Sequence, residues 1–374
     1  MKLARHAPAG RPVPRAVFAA AARQEGQLPW PGLQSELFGS GTAALGAALK
    51  LALGLLLPGA PLRVALPAYA CPNLVAAALW AGGTPEYYDV APDTLGPAPG
   101  VVESLCGSRD FVMLHVDAFG ADTLPSSISG APAGLLVHDL AQSFAPFQEG
   151  WQPRVRFSVA SFGRAKPLSL TLGGALIASH SAAESSPTAD VSRSKLSLRA
   201  AVYALSLHPV VFGVLSRIPA LGIGQTHFAP LTHADRLPQR WHAAIAAAVA
   251  ELRRSLSLFR AQTAAMLRLA QESGARVPAS ALAAEGLLPL WRVPVLCPSS
   301  ESATVIAREG AHLGLSRLYL RPLPQIMGMA ATDVAALWPN ATGIAERLIT
   351  LPTHGRLGER REGQLRRLLE LRLR

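Results

Sequence analysis

Among 374 residues that include 35 Lys and Arg, lysine occurs only at positions 2, 50, 166 and 195. Lys166 stands in the stretch Ser-Phe-Gly-Arg-Ala-Lys-Pro (161–167), ahead of the pair Gly173-Gly174. A lysine, unlike an arginine, can lose its proton near neutral pH and condense with an aldehyde. In a chain that otherwise uses arginine, Lys166 is therefore a candidate nucleophile, set against the plainer reading of a solvated loop lysine. Asp139 ends the apolar run Gly-Leu-Leu-Val-His-Asp (134–139), and Gln142 follows in the next turn. A carboxylate at the end of a buried strand needs a cationic partner. Gly41-Thr42 opens a helical pattern, and Ser161 ends another apolar run. Backbone N–H groups at a helix start, with a hydroxyl beside them, make an anion site. A phosphate cradle, a carboxylate suited to a protonated pyridine and an amine suited to an aldehyde match the three handles of pyridoxal 5′-phosphate (PLP). Singly, Thr42 also reads as an N-cap, Asp139 as a turn residue and Ser161 as a strand-end hydroxyl. Their order along the chain favours the joint reading.

The elements that must position these groups alternate. The run after Gly41 and residues 72–83 read as helices. Residues 63–67, 86–90, 111–116, 134–139, 156–162 and 174–179 read as short apolar strands. The pattern predicts a mostly parallel or mixed sheet covered on both faces. In such a sheet, ligands bind at the carboxyl ends of the strands, where Asp139, Ser161 and Lys166 fall. Residues 180–195 read as a loop. Residues 200–216 are apolar but broken by His208 and Pro209, which predicts a buried or lid helix with a kink rather than a membrane contact. Residues 241–274 form one long helical pattern that bridges to a second domain. There, LPLWRVPVLC, SRLYLRPLP and RLITLPTH look like strands, and the basic tail 358–374 reads as a solvated amphipathic helix.

Composition excludes several classes. Half of the chain is hydrophobic and 16% is charged, which fits a folded protein with a sizeable core and not a disordered one. The net charge of +11 favours anionic partners, but the scattered arginines form no stripe interleaved with aromatics, so nucleic acid is not expected. Cys71, Cys106 and Cys297 are too few and too widely spaced for a disulfide framework or a zinc motif, and they fit a reducing cytoplasm. The first residues hold no secretory pattern. His115 and Asp117 offer two metal-ligand types without a third nearby, so no metal site is expected. His138 should point away from Asp139, on the opposite strand face, and receives no role.

The sequence resembles the DegT/StrS type of PLP-dependent sugar aminotransferase, over nearly the whole chain. The resemblance rests on GSGTAALGAALKLAL (39–53), LPAYACPNLVAAALWAGGTPEYYDV (66–90), LHVDAFGAD (114–122) and LLVHDLAQSF (135–144). It continues in SFGRAKPLSLTLGGALIAS (161–179) and ATGIAERLITLPTH (341–354). The Asp-x-Ala-Gln motif together with Ser-Phe-x-x-x-Lys is the specific part.

The resemblance implies an α/β fold: a large PLP-binding domain with a mostly parallel mixed sheet between helices, plus a smaller C-terminal α/β domain (PLP transferase fold type I). The boundary is placed at 1–245 and 246–374. It implies Lys166 as the Schiff-base lysine and proton carrier, Asp139 as partner of the pyridinium nitrogen and Gln142 near the ring's phenolic oxygen. Gly41, Thr42 and Ser161 would bind phosphate. Cys71 falls where the family stacks an aromatic on the ring, and Tyr69 is the candidate substitute. Ala234 stands where the family has an Asn that reaches the partner subunit, and Arg164 replaces part of a usual His-Pro pair. Arg164 and Arg321 are candidate anion or substrate contacts. The implied activity moves an amino group from a donor such as glutamate to a nucleotide-linked keto-sugar, in a homodimer, and the cysteine usage places it in the cytoplasm. Two alternatives stay open: a PLP enzyme with a non-sugar or lipid-linked acceptor, and a catalytically idle PLP-fold regulatory protein.

Overall fold

The computed structural model describes residues 10–20, 26–106, 110–125, 135–178, 193–216, 218, 226–353 and 358–373. Its main sheet has seven strands: β1 (Gln34–Phe38), β2 (Arg63–Pro67), β3 (Thr84–Tyr88), β4 (Phe111–Val116), β5 (Leu136–Asp139), β6 (Phe157–Ser161) and β7 (Gly174–Ala178). They lie in the order β1-β7-β6-β5-β4-β2-β3. Strands β6, β5, β4, β2 and β3 are parallel, and β7 runs antiparallel to both of its neighbours. Strands β6 and β7, FSVAS and GALIA, are buried at every residue, as a sheet covered on both faces requires.

Helix α1 spans Arg15–Ala20, α2 Gly41–Leu53, α3 Asn73–Trp80 and α4 Val101–Cys106. One face of the sheet, with Val64, Leu66, Val112, Leu114 and Val137, packs against α2 and α3. Each of these aliphatic side chains contributes about 1.5–3 kcal/mol by burial. Helix α2 is apolar nearly all round and is inserted between sheet and α3. Its N-cap is Ser40, whose Oγ accepts the Ala43 N–H at 3.0 Å, so Thr42 is the second residue of the helix, in its first turn, rather than the cap.

After α5 (Arg193–Ser206) and α6 (Pro209–Leu215) comes the 31-residue α7 (His242–Glu272). Its residues Ala244, Ile245, Ala248, Val249, Leu252, Leu256 and Phe259 recur at helical spacing and cover Ala160, Ala175 and Ile177 on the second face of the sheet. The far end of α7 carries Met266, Leu267 and Ala270 into a separate cluster around a two-stranded antiparallel sheet of β8 (Arg292–Leu296) and β9 (Leu348–Pro352). Around it lie α8 (Ala279–Ala283), α9 (Ser300–Glu309), α10 (Leu323–Ile326), α11 (Ala331–Leu337), α12 (Pro339–Arg347) and α13 (Glu359–Leu373).

Three expectations change. The stretch SRLYLRPLP is not a strand: only Ser316 bridges to Thr350, and the rest is irregular up to α10. The C-terminal helix is docked rather than solvated, with Leu365 and Leu369 fully buried. Residues 200–216 keep the expected kink, as an 89° bend between two helices at His208, but one of their faces is exposed rather than buried. Of the expected loop 180–195, positions 180–192 lie outside the described residues, and 193–195 already belong to α5.

Candidate active site

The pocket lies at the carboxyl ends of β4 and β5, with an empty volume of about 550 Å³ counting its open mouth. Asp139, Gln142, Lys166 and Cys71 all line it, joined by Tyr69 and Tyr319. Four of the residues singled out by sequence thus converge from three separate segments.

Asp139 is the last residue of β5 and shares the face of Val137, by strand alternation. One carboxylate oxygen accepts the Ala141 N–H at 2.8 Å. Burial raises its pKa above the ordinary carboxylate value, against the pull of Lys166, the Ala141 N–H and His138. Gln142 is held at both ends of its amide. Its Oε1 accepts the Phe119 N–H at 2.7 Å, and its Nε2 donates to the Tyr319 hydroxyl at 3.0 Å. Phe119 takes a left-handed backbone (φ 59°), unusual for a bulky residue, to present that N–H.

The loop that carries Lys166 is pinned at the residue before it. Ala165 also has a left-handed backbone (φ 58°). Its N–H donates to the Tyr203 hydroxyl of α5 at 2.9 Å, and its carbonyl accepts from Trp291 Nε1 at 2.6 Å. Both polar groups of the strained peptide are satisfied, which holds a conformation that costs roughly 1–3 kcal/mol. Lys166 Nζ lies 5.8 Å from the centre of the Trp291 ring.

The start of α2 meets the end of β6. A Cβ on Gly41 would come within 2.5 Å of Ser161 Oγ, and one on Gly174 within 2.5 Å of the Gly41 Cα. Glycine at both positions lets the helix N-terminus, the Ser161 hydroxyl and β7 approach to this distance. Gly41, Thr42 and Ser161 are thus brought together beside the pocket rather than within its lining.

Cys71 is half-buried, and burial raises its thiol pKa against the influence of Lys166. Tyr69 meets Tyr319 edge-on, with ring centres 5.4 Å apart. Tyr319 was missed by sequence reading because its segment looked like a strand. Its hydroxyl pKa is raised well above the ordinary value, by burial first. Arg164 and Arg321 are exposed and line no part of the pocket. Ala234 is buried against the α2 face, and the next residue accepts the Gly39 N–H at 2.9 Å through its carbonyl.

A second polar cluster adjoins the pocket, and its His115 is part of the lining. His138 Nε2 is 2.8 Å from Asp117 Oδ1, His115 Nε2 is 3.7 Å from the same oxygen, and Thr123 Oγ1 is 3.0 Å from His115 Nε2. His115 and His138 are register partners on β4 and β5, so a third ligand-type group does stand by His115 and Asp117, contrary to the sequence reading. The 2.8 Å spacing is that of a hydrogen bond, closer than the roughly 3.3 Å that separates two ligands of a tetrahedral zinc ion. Burial alone would raise Asp117, but the two histidines outweigh it and hold its carboxyl below the ordinary range. Burial lowers His115, which is therefore neutral.

No protein-family model and no curated protein matches the sequence. Solved structures do match. A DegT DnrJ EryC1 StrS aminotransferase from Brucella abortus is 18% identical over 95% of this chain and 93% of that one, with a TM-score of 0.61. Helicobacter pylori PseC, an aminotransferase involved in the biosynthesis of pseudoaminic acid, is 14% identical over 99% of both chains, with a TM-score of 0.66. NtdA from Bacillus subtilis, with bound cofactor PMP, is 16% identical over 91% of this chain and 73% of that one, with a TM-score of 0.59. At these identities the likeness is one of fold: the chain is folded like these solved aminotransferase structures.

Proposed function

We propose that the chain is a PLP-dependent aminotransferase that transfers an amino group from glutamate, or a similar donor, to a nucleotide-linked keto-sugar. The observation that supports this most is the meeting of Lys166, Asp139 and Gln142 in one pocket, in which Asp139 is a buried carboxylate with little compensation from the chain itself. The donor set fits PLP: an amine for the aldehyde, a carboxylate for the pyridinium, and N–H groups with a hydroxyl for the phosphate. When bound, PLP supplies a carbonyl that condenses with amines and a ring that takes up electrons.

The chain's residues then divide the work. Lys166 Nζ holds the cofactor and carries a proton between the substrate α-carbon and cofactor C4′. Asp139 keeps a proton on the ring nitrogen. The Asp139 carboxylate, costly to bury alone, is compensated by that positive charge. Gln142, with its oxygen engaged by the Phe119 N–H, presents its NH₂ toward the ring's phenolic oxygen. The α2 N-terminus at Gly41 and Thr42, with Ser161 Oγ, takes the phosphate. Cys71 and Tyr69, in the pocket lining, would flank the ring, and Tyr319 from the segment before α10 lines the same pocket. Arg164 and Arg321, at the surface, suit the anionic part of a substrate as it enters. The working unit is a homodimer, and the division at 245/246 separates its cofactor-binding and smaller domains. Cytoplasm is the expected compartment.

Purified protein mixed with PLP should show a visible absorption band that moves on adding glutamate and returns on adding a nucleotide keto-sugar. A band that ignores every amino donor would remove the aminotransferase reading. A response to glutamate without return by any keto-sugar would remove the sugar acceptor and leave the half-reaction.

A further inference from the structure

Helix α5 shows two unlike faces. Tyr203 and Leu207 are buried, and the Tyr203 hydroxyl grips the Ala165 N–H ahead of Lys166. The opposite face carries Leu198, Val202 and Leu205 at helical spacing, 67%, 60% and 63% exposed. Beyond the bend, Val214 and Ile218 continue the exposed apolar surface. Single exposed leucines are ordinary, but a contiguous stripe across two helices marks a contact surface. No single helix here is long and apolar enough to cross a bilayer, and the pair Ser197–Ser206 and Pro209–Leu215, bent by 89°, has a shape that suits lying along one.

The charge of the sequence that carries the stripe indicates what covers it, and Arg199, between Leu198 and Val202, is exposed. Residues 191–234 contain Arg193, Lys195, Arg199 and Arg217 and no Asp or Glu. A second copy docked by a two-fold axis would set this patch against itself, Arg199 included, with no carboxylate in the segment to pair with it. An anionic bilayer offers both an apolar layer and negative headgroups. We propose that the α5–α6 face docks on the surface of an anionic membrane, which places the Lys166 loop, held by Tyr203, on the membrane-facing side of the molecule. This does not depend on the aminotransferase reading.

Cosedimentation of the full chain with phosphatidylcholine vesicles, with and without phosphatidylglycerol, tests it. Binding should require phosphatidylglycerol and weaken with salt, each basic residue near the surface being worth roughly fivefold. The variant Leu198→Ser, Val202→Ser, Leu205→Ser should bind on the order of tenfold or more weakly, with unchanged circular dichroism and unchanged mass by light scattering. Arg199→Ala should weaken binding without touching the apolar stripe, and serves if the triple variant misfolds. No binding to anionic vesicles, or binding indifferent to these substitutions, overturns the proposal. Conversion of a dimer into a monomer by the triple substitution also overturns it, because the face is then a contact between copies.

Discussion

Asp117 and Asp139 are both buried carboxylates at the ends of neighbouring strands, and the chain treats them in opposite ways. Asp117 has two histidines, one at hydrogen-bond distance, and is held below its ordinary pKa. Asp139 has one backbone N–H and the fields of Lys166 and His138, which burial outweighs, and its pKa is raised. The first is a finished internal structure. The second is a carboxylate placed in a pocket and left short of a cation, which costs stability unless something else supplies the charge. On the proposed function the difference separates a residue that serves the fold from one that would serve a ligand, and each can be tested by removing it.

Lys166→Ala should have the largest effect. On the proposed function it removes both the amine that would capture PLP and the group that would move the proton, so amino transfer from glutamate should fall by about 10³-fold or more, with the fold intact by circular dichroism. His138→Ala should act on the other side of the comparison. It strips Asp117 of its hydrogen-bonded partner and should lower unfolding free energy by about 3–5 kcal/mol in a urea titration. Asp139→Asn should invert that pattern. A carboxyl whose folded pKa is raised lowers stability above that pKa, so neutralising it should leave the cofactor-free protein as stable or more stable at pH 7, while PLP is held more weakly and glutamate turnover slows. Equal loss of stability at positions 138 and 139 would erase the distinction. The smallest effect should be a pH dependence. His115 is neutral when folded, with its pKa lowered from 6.5, so the unfolded chain takes up a proton first as pH falls. Stability should be level above about pH 6.5 and decline as pH drops from there toward the folded pKa. His115→Asn should flatten that part of the thermal-melting profile.

Much of this was legible in sequence because it is local. Strands β2 and β4 fall on residues 63–67 and 111–116 as their apolar runs predict, and Lys166, Asp139 and Gln142 lie where the strand ends bring them. Strand β1 escaped notice because QSELF has no apolar run. It is defined by pairing with β7 at the sheet edge. Tyr319 was hidden because Pro322 and the adjoining arginines break a run that otherwise looks extended, and its partner Gln142 lies 177 residues away. The charge-rich tail concealed a two-leucine stripe, Leu365 and Leu369, that suffices to dock α13. The role of His138 depends on its register beside His115, which no single strand reveals. Local pattern carries strand and helix type. The pairing of distant polar groups depends on topology.

Borohydride reduction followed by peptide mapping tests the central claim most directly, since it fixes PLP on whichever amine holds it. With lysines at only four positions the outcome is unambiguous. One phosphopyridoxyl group should be found on Lys166, in the tryptic peptide that begins at Ala165, and none should be found in Lys166→Ala. A label on Lys2, Lys50 or Lys195, or no label at all, would contradict the account.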